Sequence, residues 1–183
     1  MTDAKFFHLY TGPLDVNTYI VINAQSGFVV DPGGNAEDIF AIFKKQKAKV
    51  EAILLTHAHF DHIGGAELCR MASKDENGNE NLQNSPAVFL HKDDLEKIGS
   101  YKNMGFAMGI NPEKFTPDVL LNGGETLKIA GLDVNVIHTP GIPRAVFATS
   151  WATKSSSGTR CFLCLSGART FTTEMQKTSK IPL

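Results

Sequence analysis

The segment from Ala52 to Gly65 constrains this chain more than any other stretch. An apolar, strand-like run, Ala52-Ile53-Leu54-Leu55, opens without a break into Thr56-His57-Ala58-His59-Phe60-Asp61-His62-Ile63-Gly64-Gly65. Half of the chain's six histidines and one carboxylate therefore fall between positions 57 and 62. A buried strand that ends in such a cluster delivers it to a sheet edge, where a ligand can reach it. Imidazole and carboxylate donors at this density suit Zn²⁺, with Fe and Mn as the other candidates. In extended chain, residues two apart share a side, so His57 and His59 converge on one ion. Asp61 and His62 are adjacent, and Gly64-Gly65 lets the chain turn sharply into a following helix. Their side chains then face a second position. A pair of ions roughly 3.5–4 Å apart activates water for hydrolysis.

The remaining pattern is that of an α/β protein, strands alternating with helices and joined in places as hairpins. Residues 6–10, 19–22 and 28–30 read as short strands, separated by Gly12-Pro13 and by a polar turn at 23–27. Asn35 is placed as an N-cap, with Asp38 three residues on. Behind it Ile39, Ile42 and Phe43 form an apolar stripe, and Lys44, Lys45 and Lys47 suit the helix C-terminus. Residues 50–55 form a buried strand, 65–73 a helix and 74–86 a polar, exposed loop. A strand at 87–90, a short helix at 92–98 and an irregular stretch at 99–117 follow. Strands at 119–121, 126–129 and 132–137 flank an Asn122-Gly123-Gly124 turn. Among isolated residues, Asp31 reads as a turn former before Pro32-Gly33-Gly34. His8 and His91 read as structural strand residues. Met104, Phe106 and Met108 either line a substrate pocket or pack on the domain edge, with packing the favoured reading.

Composition narrows the function classes. With 183 residues the chain is one domain with room for a sizeable core. The formal net charge is −1, which argues against a nucleic-acid or membrane-surface partner and leaves a small-molecule substrate. No apolar run approaches the ~20 residues that span a bilayer, and the first residues lack a secretory apolar core. Three cysteines argue against a disulfide framework and fit the cytoplasm. Cys161-x-x-Cys164 has no partner pair and reads as accidental.

The string His57-x-His59-x-Asp61-His62 resembles the signature of the metallo-β-lactamase superfamily. Its surroundings resemble the glyoxalase II-like branch, the hydroxyacylglutathione hydrolases, more than the true lactamases. Asn17-Thr18-Tyr19-Ile20-Val21, then Val29-Val30-Asp31-Pro32-Gly33-Gly34, matches the opening strands and the turn that family sets beneath its metals. His138-Thr139-Pro140-Gly141 matches the start of a later family motif. The likeness runs from about Phe6 to Gly141. It implies a metallo-β-lactamase-type αβ/βα four-layer sandwich over residues 1–141, with its second half incomplete. It also implies a zinc-dependent hydrolase that opens a thioester or other acyl bond. On that reading His57 and His59 hold one Zn, and Asp61 and His62 hold the second. Asp61 is then also the catalytic residue that orients water, and Asp31 supports the loop from below. A second branch, the mononuclear iron persulfide dioxygenases, would combine His57 with two ligands that this chain lacks.

The departure comes directly after Gly141. The family motif continues with a second His-Thr-Pro-Gly-Ser whose His is a ligand, and here Ile142-Pro143-Arg144-Ala145 stands instead. A Gly-Asp-Thr-Leu-Phe segment with a bridging Asp and a final His are also missing. The genetic code accounts for the loss. Regrouping each codon's third base with the next two bases permits His-Thr-Pro-Gly-Ser-Val-Cys-Tyr-Leu-Val-Gly-Asp-Glu over residues 141–154. The second Gly of that string is forced, because Trp151 has a single codon. Residues 157–162 then permit Gly-Asp-Thr-Leu-Phe, and 165–170 permit Gly-Arg-Thr-Asp. One match carries little, since third bases are degenerate, but a sustained run in family order carries much. Residues 142–183 are therefore expected to be an aberrant, out-of-frame tail. The literal chain is expected to be unstable and catalytically inert.

Overall fold

A computed structural model describes residues 4–71, 85–110, 114–139, 146–152, 160–166 and 169–173. The first sheet has six strands in sequence order: β1 Lys5–Thr11, β2 Val16–Asn23, β3 Ser26–Val30, β4 Lys49–Leu54, β5 Ala87–His91 and β6 Val119–Leu121. The first three pair antiparallel as a meander, and from β3 to β6 the pairing is parallel. The second sheet runs β11-β10-β9-β8-β7 and is antiparallel throughout. It contains β7 Thr126–Ile129, β8 Leu132–Thr139, β9 Val146–Ala152, β10 Arg160–Ser166 and β11 Arg169–Thr173.

Alternation along the strands builds two cores, one on each face of the first sheet. Ile20, Ile22, Val29 and Ile53 face the helices and pack with Ile39 and Phe43 of α1 (Ala36–Gln46) and Cys69 of α3 (Ala66–Met71). Tyr19, Val21, Phe28, Val30, Ala52 and Leu54 face the second sheet and meet Ile129, Leu132 and Val134. The end of β4 is buried on both sides, which is why Ala52-Ile53-Leu54-Leu55 reads as a continuous apolar run, while Lys49 and Glu51 at its start are exposed. Cys69 lies wholly within the helix-side core, and burial pushes its thiol up to about 12. Among the described residues no helix is long and apolar enough to cross a membrane.

Several elements differ from expectation. Asn35 does occupy the N-cap of α1, but at φ 53° its side-chain oxygen caps no backbone N–H of the helix, and its Nδ2 reaches only the Asp38 carboxylate at 3.4 Å. Its carbonyl instead accepts from Gly12 N at 2.9 Å, tying the β1–β2 turn to the helix start. The stretch after the histidine cluster divides into a single turn, α2 (Phe60–Ile63), and α3; the expected end of the latter, beyond Met71, lies outside the described residues. So does most of the loop expected at 74–86. The short helix expected at 92–98 is present as the 3₁₀ segment Lys92–Lys97. Met104, Phe106 and Met108 do not pack: they are 53, 55 and 56% exposed. Asn103 takes the inward position in that stretch, its Oδ1 accepting from Gly105 N, and Gly105 seats against Phe60. The neighbouring side chains are turned outward as a result.

Beyond Gly141 the backbone of β9, β10 and β11 extends the second sheet from β8. The Ser-rich residues 153–159 and the end of the chain from 174 lie outside the described residues. Among the described residues no α-helix follows α3.

Candidate metal centre

The loop between β4 and α2 holds His57, His59, Asp61 and His62 at the C-terminal end of the parallel part of the sheet. The His57 ring lies 3.9 Å from that of His62 and 4.7 Å from that of His59, centroid to centroid. Asp61 Oδ2 stands 3.7 Å from His62 Nε2. All four predicted residues are thus gathered in one place. His57 is buried, while His59, Asp61 and His62 are partly open.

Asp31 holds this cluster together from beneath. It directly follows β3 at φ 49°, a left-handed backbone that Asp tolerates better than most residues, and is 1% exposed. Its Oδ1 accepts from Thr56 N at 2.7 Å. Its Oδ2 accepts from Thr56 Oγ1 at 2.5 Å and from His62 Nδ1 at 2.9 Å. Asp31, His57 and His62 lie close enough to form a three-ligand group on their own. With both oxygens already engaged by three donors, however, Asp31 is the support of the loop.

The hydrogen bonds also fix the ring protons. An ionised carboxylate only accepts, so the Thr56 hydroxyl proton points at Asp31. The 2.9 Å contact between Thr56 Oγ1 and His57 Nδ1 is then donated by His57, leaving its Nε2 lone pair free. His62 likewise spends Nδ1–H on Asp31 and directs Nε2 toward Asp61. A ring whose second nitrogen is anchored to a carboxylate or hydroxyl is the usual setting of a metal-ligating histidine. Burial pushes the His57 pKa down to about 2, helped by the charges of His62, His59 and Lys97. His59 is also lowered, by burial and then Lys97, against the opposing pull of Asp61 and Asp94. For His62 burial opposes protonation, but the charge and hydrogen bond of Asp31, with Asp61, outweigh it and raise the pKa. The donor set therefore fits a divalent transition ion: two neutral rings, a third with its free nitrogen facing the cluster, and one carboxylate. Zinc, iron and manganese all accept such donors.

Sequence reasoning missed three further contributors. Thr18 Oγ1 donates to Asp31 O at 2.6 Å, and Thr11 Oγ1, 2.6 Å from Thr18 Oγ1, accepts from Gly33 N. Asp94, fully buried, accepts from Ala58 N at 2.8 Å and from Lys97 Nζ at 2.6 Å. The glycines of the Asp31-Pro32-Gly33-Gly34 turn allow the metal loop to lie directly on it. A Cβ at Gly33 would strike the Asp61 carbonyl oxygen, and one at Gly65 would come within 2.7 Å of the Pro32 carbonyl. Gly33→Ala should therefore cost about 1–3 kcal/mol by forcing the loop away. Chemical denaturation of the metal-free protein measures the loss; an unchanged midpoint would show that the loop does not rest on this turn.

Comparison with known proteins agrees with this architecture. The family model of the metallo-beta-lactamase superfamily matches residues 11–151. The protein named Probable metallo-hydrolase YqgX of Bacillus subtilis is 30% identical over 139 residues, covering 75% of this chain and 61% of that protein. Hydroxyacylglutathione hydrolase GloC of Haemophilus influenzae is 32% identical over 119 residues, covering 64% of this chain and 51% of the relative. Among solved structures, the B3 metallo-β-lactamase BLEG-1 superposes with a TM-score of 0.66 at 30% identity, over 80% of this chain and 66% of that one. TTHA1623, solved in a di-iron-bound form, gives 0.61 at 30% identity, over 78% and 65%. The chain belongs to the metallo-β-lactamase superfamily. It spans between half and about three fifths of the length of these curated relatives.

Proposed function

We propose that the frame-intact form of this chain is a metal-dependent hydrolase of the hydroxyacylglutathione-hydrolase type, acting on a thioester or related acyl bond of a small molecule. The carrying observation is the anchored loop, in which Asp31 and Thr56 turn the free nitrogens of His57 and His62 toward a shared space beside His59 and Asp61. Bound zinc or iron there would supply a water acidic enough to attack a carbonyl at neutral pH. His57 and His59 would hold one ion, and Asp61 and His62 the other. Asp61, a carboxylate at the open side of the loop, would orient the water and accept its proton. Burial of His57 keeps its ring unprotonated and ready for an ion. The relatives named as a metallo-hydrolase and a hydroxyacylglutathione hydrolase support this reading. The odd count of three cysteines is the ground on which we place the protein in the reducing cytoplasm.

On the same reading residues 142–183 are an out-of-frame tail appended to a domain of residues 1–141. The literal chain then lacks the third ligand of the first site and the bridging carboxylate. Catalytic zinc keeps about three protein ligands, so two histidines hold an ion weakly. The test is to make both proteins, the 183-residue chain and the version read in the alternative frame after Gly141. Metal content and turnover of a hydroxyacylglutathione thioester are then measured in each. The corrected protein should bind two ions and turn over at about 1 s⁻¹ or faster, with the literal chain at background. Equal turnover by the two would refute the frame reading, and inactivity of a metal-loaded corrected protein would refute the hydrolase. One tightly held iron in place of two zincs would move the parent to the dioxygenase branch.

A further inference from the structure

We propose that His91, Asp93 and His138 form a second transition-metal site, sharing no residue with the loop centre. His91 ends β5 in the first sheet, Asp93 follows in the 3₁₀ turn, and His138 sits near the end of β8 in the second sheet. The three offer one ligand atom each within 4.8 Å of one another. The His91 and His138 rings meet edge to face at 4.4 Å, and Asp93 Oδ2 lies 3.6 Å from His91 Nδ1. His91 is 1% exposed, whereas the Asp93 carboxylate opens to solvent and gives an ion a way in.

A purely structural account explains only part of this arrangement. His91 Nδ1 accepts from Asp93 N at 3.2 Å, which caps the 3₁₀ turn and accounts for one ring in the metal-free protein. An ion takes that Nδ1 lone pair in place of the N–H, or binds Nε2 after the ring proton moves to Nδ1. The cap does not account for His138, whose Nε2 is buried with no hydrogen-bond partner among the described residues. A buried polar nitrogen left so is costly, and a cation bound by its lone pair removes that cost. The ring is also held in place. Gly123, at φ 94°, lies so close to His138 that any Cβ there would collide with the His138 Cβ. Glu125 fixes that turn by accepting from Asn122 N at 2.6 Å and Gly123 N at 2.7 Å. Two imidazoles and one carboxylate select zinc, cobalt, nickel or copper over the oxygen-seeking calcium and magnesium. Three protein ligands leave at least one coordination position open.

Zinc alone is the probe, titrated into the 183-residue chain and its Asp93→Asn and His59→Ala variants, with bound metal counted by equilibrium dialysis. Histidine ring resonances are followed by NMR in the same samples. The frame-corrected protein, which retains all three residues, serves equally and separates this result from the stability of the tail. Asp93→Asn removes an exposed charge and preserves the backbone cap, so folding is not at stake. It should weaken one zinc at least about tenfold, within the range seen when carboxylate support is lost, and abolish the zinc-induced shifts of His91 and His138. His59→Ala should weaken the other zinc and leave those shifts intact. The site is overturned if Asp93→Asn leaves every bound zinc and every ring shift unchanged. It is equally overturned if the two variants weaken the same ion.

Discussion

Asp31→Asn is expected to remove most metal binding while leaving the protein folded, and Asp31→Ala to remove metal binding and lower stability as well. The difference lies in the protons. In the wild type, Oδ2 receives the Thr56 hydroxyl and His62 Nδ1, and the Thr56 oxygen receives His57 Nδ1–H. Asparagine keeps an oxygen for Thr56 N, tolerates the left-handed backbone at φ 49°, and places an N–H₂ group where Oδ2 stood. That group donates instead of accepting. Thr56 then turns its proton toward His57 Nδ1, His62 Nδ1 becomes an acceptor, and both rings carry their proton on Nε2. The free nitrogens that an ion needs are lost with little change of shape. Zinc affinity should fall by about 10- to 100-fold, the range for lost support of ligating histidines, with a stability loss of roughly 1 kcal/mol. Alanine strands the three donors and adds backbone strain, so about 3–5 kcal/mol is expected, a fall in Tm of about 10 °C for a chain of this size. Competition with a chelator measures the affinity and calorimetry the stability. If Asp31→Asn binds zinc as the wild type does, the proton relay does not set the ring tautomers.

How far the sequence carries can be seen in particular residues. The continuous apolar runs at residues 19–22 and 28–30 and at the end of β4 are local signals of burial on two faces, and they place the sheet correctly. The cluster from His57 to His62 is legible because ligand spacing is a local property. The role of Asp31 is not: its partners lie 25 and 31 residues away, and only the closing of β3 against β4 brings them to it. Asn35 shows propensity yielding to tertiary structure, since the residue suited to cap its own helix caps Gly12 instead. The exposure of Met104 and Phe106 follows from which neighbour, Asn103, turns inward, and composition holds no trace of that choice. His91 and His138 belong to different sheets, so neither strand's pattern shows that they meet.

Asp94 gives the second large effect, and it separates burial from function. Its carboxylate is fully buried, shared between Lys97 Nζ and the backbone N–H of Ala58, which lies between the first two histidines. Nothing in the sequence near Asp94 points to that loop, 36 residues earlier. Asp94→Ala leaves the Lys97 charge buried without its partner and should cost about 3–5 kcal/mol. That loss alone would not distinguish a fold-supporting ion pair from a clamp on the metal loop. The double substitution Asp94→Leu with Lys97→Met does distinguish them. Replacing a buried ion pair by apolar groups of similar volume is often close to neutral, and the remaining cost is the freed Ala58 N–H, about 1–3 kcal/mol. The double variant should therefore fold. It should nevertheless hold zinc about tenfold more weakly, because the backbone between His57 and His59 is no longer fixed and their separation is free to vary. Zinc affinity equal to that of the wild type in a folded double variant would assign the Asp94–Lys97 pair to stability alone. Weakened binding at near-normal stability would make Asp94 a positioning residue for the centre.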